Sequence, residues 1–287
     1  MEALRKPLPM SRLPRLLAFG ALLGLPVARA DPLIRQANDQ ESLVIGVAHV
    51  HDGEQARDSA GAGVLNEEAG SRLLLGFGVT RTRALFGIPG FYTNLEVLLG
   101  AADVGYAGPS FDPKTGIPGA AGGGFHVASD IVRLRVGRSF ELGAGGRLAL
   151  TPYLGLAQQA WLRDGTTYTP FSAYGDAALQ LGVLAQAALT RRVVLGVEAG
   201  IGRTLGAMEL DGHDLNWPHR ATASSFSLYF DHRTFAEWHQ RVELRHGAYA
   251  TGTGAFDGGL FEPRRGSATA ILLEFGTEKD LLRTLLY

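Results

Sequence analysis

The alternation of gap lengths between short apolar segments constrains the fold of this chain most strongly. Ten segments between residues 41 and 276 have the character of β-strands. Long gaps rich in Gly, Asp and Pro follow residues 101, 161, 204 and 248, and a long polar gap separates the first two segments. Gaps of only a few residues follow residues 141, 188 and 231. This order predicts antiparallel strands with the long connections at one end and the short ones at the other.

The segments alternate apolar and polar residues with a period of two, which is typical of a strand whose two faces meet different surroundings. In 192–202, for example, the apolar Val197 and Ile201 alternate with Gly196, Glu198 and Gly200. Such alternation fits a soluble β-sandwich, which buries its apolar face. It fits equally a membrane barrel, which turns its apolar face to lipid.

The first thirty residues have the organisation of a secretory signal peptide. Residues 5–15 carry four Arg or Lys, Leu16 to Leu25 form an apolar run, and Ala28-Arg29-Ala30 has the small-x-small form of a cleavage site. Ten apolar residues are too few for a membrane-spanning helix, which needs about 20. We therefore predict that residues 1–30 are a signal peptide and that the exported chain is 31–287.

Composition excludes several functions. The chain has no cysteine, which excludes disulfides, thiolate metal sites and cysteine nucleophiles. Residues 31–287 hold 22 basic and 27 acidic residues, a net charge of −5 that argues against nucleic acid as a partner. No later apolar stretch is long enough to predict a transmembrane helix.

Export, loop asymmetry and alternation together make the chain resemble the bacterial outer-membrane β-barrel proteins over about residues 41–276. The resemblance implies an all-β fold, an antiparallel transmembrane up-and-down β-barrel of about ten strands, with eight and twelve as the alternatives. It implies location in the bacterial outer membrane, contact with outer-membrane lipid, and insertion by the barrel assembly machinery. Short turns then face the periplasm and long loops the cell exterior. Residues 31–40 become an N-terminal periplasmic segment, and 277–287 a C-terminal tail or the end of the last strand.

The charged residues on the polar strand faces are then expected to line the barrel lumen. A barrel of about ten strands is narrow, so its interior is filled by side chains, and buried charges of opposite sign should pair. The expected lumen network is Glu96, Arg133, Arg135, Glu198, Arg241, Glu243, Arg245 and Glu274, together with Arg72. Glycines on the same faces, at 76, 78, 196, 200 and 202, leave room for the alternative of a narrow, charge-lined solute path.

These features favour a non-enzymatic outer-membrane barrel with a structural, surface-interaction or limited solute-permeability (porin-like) role. We expect no cofactor, no metal and no catalytic residue, and the sequence does not identify an extracellular or solute ligand. The alternative is an outer-membrane hydrolase that acts on lipid or peptide at the extracellular rim. A periplasmic soluble β-protein is the third possibility.

The hydrolase alternative depends on histidines near the predicted outer strand ends. His126, Ser129 and Asp130 lie where a long loop meets a strand, although their spacing differs from the His-x-Ser pattern of outer-membrane lipid A deacylases. His49 and His51 could contribute to a metal site, but two histidines are a weak signal. The Asp and His content of loop 205–219 is similar to that of the ten-stranded omptin proteases, without their local motifs. Polar loop residues without a catalytic role explain all three groups more simply.

Overall fold

The structure is a computed structural model. It describes residues 32–58, 61–85, 88–111, 118–142, 144–163, 172–210, 215–216, 222–235, 237–250, 254–256, 259–261 and 264–278. The predicted signal peptide and the C-terminal residues 279–287 lie outside these ranges.

The described ranges contain one short helix, one 3₁₀ turn and fourteen strands. In chain order they are α1 (Pro32–Ala37), β1 (Gln40–Asp58), β2 (Gly61–Leu85), β3 (Ile88–Phe111), β4 (Pro118–Arg138), β5 (Phe140–Leu142), the 3₁₀ turn (Ala144–Gly146), β6 (Leu148–Arg163), β7 (Ser172–Ala188), β8 (Val193–Leu210), β9 (Leu215–Asn216), β10 (Thr222–Phe235), β11 (Trp238–Ala250), β12 (Gly254–Phe256), β13 (Gly259–Phe261) and β14 (Arg264–Thr277). None of the helices in the described ranges is long and apolar enough to cross a membrane.

Ten long strands close into a ring. Each pairs antiparallel with its neighbours in the chain, β8 pairs with β10, and β14 pairs with both β11 and β1. The short strands β5 and β9 extend the pairing on β6 and β8, and β12 and β13 form a separate hairpin. The prediction of an all-β, antiparallel up-and-down barrel of about ten strands is confirmed. A sandwich of two sheets is wrong for this chain, because one sheet closes on itself.

The two ends of the barrel differ in their connections. At one end, which we call the turn end, β1 begins and β14 ends, and tight connections join β2 to β3 and β10 to β11. At the other, the loop end, the strands run further than the sequence predicts. The β1–β2 ladder continues to the pair Asp58–Gly61, so most of the predicted polar gap between the first two strands is paired strand. Backbone pairing needs no apolar side chains, which is why hydrophobicity alone underestimates these strands.

The two faces of the sheet are inverted relative to a soluble protein. Large apolar side chains point outward, with Leu73 67% exposed and Ile201 73% exposed. The charged Glu96, Glu198 and Arg245 point inward and are buried. A contiguous exposed apolar surface together with a buried charged interior is the pattern of a barrel in lipid.

The helix α1 packs inside the turn end of the barrel. Its Leu33, Ile34 and Ala37 are buried against the inward-facing Ala149 and Val194 of the barrel wall. The helix within the segment 31–40, which the sequence predicts to be N-terminal and periplasmic, therefore packs against the barrel wall from inside. Six residues are too few for helical periodicity to show in a sequence.

Candidate functional site in the barrel interior

All eight residues of the expected lumen network lie on the inward face of the barrel. The structure divides them among three groups of contacts, each organised by one arginine. We name these the Arg245, Arg135 and Arg241 clusters. The first contains Glu96, Glu243 and Arg133, the second Glu198, and the third Glu274. Arg72 also faces inward and lies apart from the three clusters, near Asp52 and Glu68.

In the Arg245 cluster one guanidinium holds two carboxylates. Arg245 donates from both terminal nitrogens to the two oxygens of Glu96, each at 2.8 Å, and from Nε to Glu243 at 2.8 Å. This fork-on-fork geometry is the strongest form of a charge-assisted pair. Arg133 approaches the same Glu96 at 3.6 Å, a distance too long for a hydrogen bond. Arg245 on β11 and Glu96 on β3 are not strand neighbours, so their contact crosses the lumen.

In the Arg135 cluster a buried carboxylate is shared between a cation and a phenol. Arg135 lies 3.0 Å from Glu198, and the Tyr153 hydroxyl donates to the same Glu198 oxygen at 2.7 Å. Arg135 also donates to Asn94 at 3.0 Å, and Asn94 in turn donates to Thr80 at 2.9 Å. The cluster therefore ties β2, β3, β4, β6 and β8 together through the interior.

The Arg241 cluster lies next to helix α1. Arg241 lies 3.5 Å from Glu274 and donates to Asp231 at 3.2 Å and to the backbone carbonyl of Ala37 at 3.0 Å. Its guanidinium also stacks over the Tyr229 ring, 4.3 Å from the centroid. The last carbonyl of α1 is thereby held by a barrel side chain, which fixes the helix in the turn end.

Asp231 is the most enclosed acid of the site and was missed by the sequence. It is fully buried, pairs with His239 at 2.6 Å and accepts a hydrogen bond from Gln40 at 3.1 Å as well as that from Arg241. Asp231 shares the inward face with Tyr229, two residues earlier. Continuing the period-two alternation of this segment from Tyr229 to Asp231 would have predicted an inward-facing Asp231. An Asp at the end of a predicted strand, however, is also typical of the first residue of a turn.

A chain of amides continues the contacts beyond α1. Asn38 and Gln186 exchange two hydrogen bonds, at 2.7 and 2.8 Å, and Gln186 also donates to the Tyr229 hydroxyl at 2.7 Å. All three side chains are buried. Buried polar groups with their partners in place rigidify the structure around them, so this end of the interior is firmly packed.

The inward-facing glycines make room for side chains and backbone of neighbouring strands. A Cβ at Gly196 would collide with the Tyr229 ring, and one at Gly182 with the Tyr153 ring. At Gly202 the backbone and side chain of Gln180 occupy the corresponding space. A glycine under a tyrosine on the next strand is a recurrent way to pack a barrel interior. Side chains and backbone of the neighbouring strands therefore occupy the space beside these glycines.

The proposed hydrolase residues do not converge. His126 faces outward and pairs with Asp103, also exposed, whereas Ser129 faces inward and is buried. His51 pairs with the exposed Glu67 at 3.4 Å on the outer surface. The loop residues Asp211, His213, Asp214 and His219 lie outside the ranges that the structure describes. Within those ranges no group of three or more His, Asp or Glu side chains is arranged to hold a metal ion.

The barrel resembles solved bacterial outer-membrane proteins. The outer-membrane protease OmpT of Escherichia coli matches with a TM-score of 0.52 at 8% identity, over 84% of this chain and 97% of that one. The β-domain of the Bordetella autotransporter BrkA matches with a TM-score of 0.40 at 11% identity, over 83% of this chain and 99% of that one. At these identities the likeness to OmpT shows a common fold and says nothing about activity.

No protein-family model matches the chain, and no curated protein matches its sequence. The closed barrel and its similarity to the solved structures place the fold in the class of bacterial outer-membrane β-barrels.

Proposed function

We propose that this protein is an integral outer-membrane barrel with a closed lumen, which acts through its cell-surface end in a structural or surface-interaction role. The observation that carries the proposal is the filling of the turn-end interior by α1 and the three arginine clusters. An open diffusion pore requires a wider, hydrated lumen than such a barrel leaves. A hydrolase role has no support from the described residues, because His126 and Ser129 lie on opposite faces.

The edge of the outward apolar surface supports the membrane orientation. Six exposed polar residues stand in one cross-strand register around the loop-end half: His246, Thr269, His49, Ser71, Asp103 and His126. The outward residues one step nearer the turn end are all apolar: Leu244, Ile271, Val47, Leu73, Ala101 and Ala128. A change this sharp from apolar to polar is expected where the hydrocarbon ends. The loop end then faces the cell exterior and the turn end the periplasm.

The interior ion pairs support closure. The Arg245 and Arg135 clusters join strands on different sides of the ring, and the Arg241 cluster joins the adjacent β10, β11 and β14 to α1. Separating Arg245 from Glu96 would leave charges in a poorly hydrated interior at a cost of several kcal/mol. The amides of Asn38 and Gln186 add a neutral layer beneath them. A structure held in this way favours one fixed arrangement over a path that opens and closes.

Location and orientation can be tested with single cysteines, since the natural chain has none. We expect Gly123→Cys, exposed near the loop end of β4, to react on intact cells with a maleimide too large to pass porins. Arg191→Cys, exposed in the tight turn after β7, should react only after the outer membrane is permeabilised. The 1–287 chain should be expressed in a Gram-negative host, and the cysteine-free parent controls for background.

Two results would contradict this location or orientation. One is labelling of Arg191→Cys, but not Gly123→Cys, on intact cells. The other is release of the protein by osmotic shock, which would show a soluble periplasmic protein.

A further inference from the structure

The loop-end half of the interior contains a cavity of about 130 Å³. Solvent reaches it, because the Arg133 side chain in its wall is 19% exposed although it points into the barrel. An apolar cavity of roughly 150 Å³ is known to hold a benzene molecule. The cavity therefore has room for a ligand with an apolar body of about that size.

Two groups of apolar side chains form much of the cavity wall. Leu74 and Leu98 belong to one hydrophobic cluster, with Ile131 packed against it. Val104 and Trp161 belong to a second cluster. Apolar walls of this kind bind hydrocarbon by removing it from water, and a few polar groups then fix its orientation.

Along β4 the wall changes from apolar to basic. From the loop end to the turn end, the residues of β4 that line the cavity are Val127, Ile131, Arg133 and Arg135. The six residues from Val127 to Arg133 span about 20 Å of strand. An apolar wall that ends at arginines suits a ligand whose apolar body ends in an anionic group.

Among the described residues four arginines line the cavity, and they differ in their partners. Arg245 and Arg135 have short contacts with carboxylates, at 2.8 and 3.0 Å. Arg72 interacts electrostatically with two acids of the loop-end wall, and these acids would repel the carboxylate of a ligand. A ligand anion is therefore expected at the fourth arginine, Arg133.

Arg133 has donors available to a ligand. Its ion pair with Glu96 is 3.6 Å long, which is beyond hydrogen-bond distance, and both Glu96 oxygens already accept from Arg245 at 2.8 Å. A guanidinium has several N–H donors in a planar fork that matches a carboxylate. A ligand carboxylate at Arg133 can thus form short hydrogen bonds and leave the pair of Arg245 and Glu96 intact.

We propose that this cavity binds a small monocarboxylate whose apolar body is about the size of benzene. Its carboxylate lies against Arg133, and its apolar body lies against Leu74, Leu98 and Ile131. The proposal deepens the surface-interaction role and rests on the loop end being the outer one, because the ligand is then a small solute from the medium.

Three probes test the proposal on the folded, detergent-solubilised 31–287 protein by titration calorimetry. Benzoate has both the ring and the carboxylate, benzamide keeps the ring and is neutral, and acetate keeps the carboxylate without the ring. We expect benzoate to bind at millimolar concentration. Benzamide and acetate should bind roughly ten- to hundredfold more weakly, because the first loses a charged hydrogen bond and the second loses the burial of the ring.

Variants then test the role of Arg133. Arg133→Gln should weaken benzoate by at least roughly tenfold and change benzamide much less, because only benzoate carries a charge. Arg133→Lys keeps the positive charge without the planar fork, so it should weaken benzoate less than Arg133→Gln does. Arg191→Gln, in an exposed turn, is the matched control and should change nothing. Heat modifiability shows which variants are folded.

Three results would overturn the proposal: no benzoate binding by the folded wild-type protein at millimolar concentration, benzamide binding as tight as that of benzoate, or equal benzoate binding by the wild type and a folded Arg133→Gln protein. The wild-type series can overturn it alone, so a variant that fails to fold does not protect it. Binding in detergent is independent of membrane orientation, which labelling of Gly123→Cys tests separately. A labelled barrel that binds no benzoate therefore counts against the cavity proposal only.

Discussion

Replacing Arg245 with Met is expected to lower the free energy of unfolding by about 3–5 kcal/mol, the cost of leaving buried charges without their partner. Arg245 supplies three hydrogen bonds of 2.8 Å to Glu96 and Glu243, and all three side chains are buried. Met keeps much of the volume, so that the loss is mainly electrostatic. Without Arg245, the ion pair that Glu96 keeps among the described residues is the longer one with Arg133, at 3.6 Å.

The measurement is urea-induced unfolding of the refolded protein in lipid vesicles, followed by the shift of the heat-modifiable band. Arg191→Met removes an arginine from an exposed turn and should leave the midpoint unchanged. Adding Glu96→Gln and Glu243→Gln to Arg245→Met should restore part of the stability, because it removes the unpaired charges. Equal midpoints for Arg245→Met and Arg191→Met would show that the cluster does not hold the barrel together.

Replacing Asp231 with Ala is expected to have a similar cost, about 3–5 kcal/mol, and in addition to loosen helix α1. Asp231 is fully buried and is the shared acceptor for His239, Arg241 and Gln40. Arg241 and Gln40 also donate to the carbonyl of Ala37, the last residue of α1. Removal of the carboxylate therefore disturbs both donors that hold the helix.

Trypsin cleavage after Arg35 reports this loosening, since Arg35 is exposed on α1 while Leu33, Ile34 and Ala37 are buried. The Asp231→Ala protein should be cut there faster than the wild type, because proteolysis follows the population of locally opened chains. Asp103→Ala removes an exposed outward carboxylate and serves as the matched control. Cleavage at the wild-type rate in a folded Asp231→Ala protein would show that α1 is held independently of the Arg241 cluster.

The fold was predictable because period-two alternation records which face each residue takes. Parity places Glu96 on β3 and Glu198 on β8 on the polar faces of their strands, and the resemblance to outer-membrane barrels turns those faces inward. Neither step needs knowledge of strand register. The sequence also carried the order of short and long connections, which follows from antiparallel pairing of neighbours.

The pairing inside the barrel was not predictable from the sequence. Arg245 meets Glu96 across the lumen, 149 residues away, and such a contact depends on the stagger of the closed ring. No local pattern encodes that stagger. For the same reason, the packing of tyrosine rings against Gly182 and Gly196 could not be predicted. The sequence shows only that these two positions lack a side chain.

The element that most changes the view of function is α1. Its residues Leu33 and Ile34 are apolar but follow directly after the predicted cleavage site, where a short segment carries no periodic signal. Only their burial against Ala149 and Val194 shows that they pack inside the barrel. The sequence left both a plugged lumen and a solute path as alternatives. Our preference for the plugged lumen depends on this helix and on Asp231, which helps to hold it.

The most direct test of the closed lumen is the conductance of the refolded 31–287 protein in a planar bilayer, after heat modifiability has shown that the barrel is folded. Our account predicts a silent bilayer, because α1 and the three arginine clusters fill the turn end. Steady ion-selective steps would contradict it, above all if charge reversal at Arg133 or Glu198 changed their selectivity. Ions would then be passing through the network that we describe as closed.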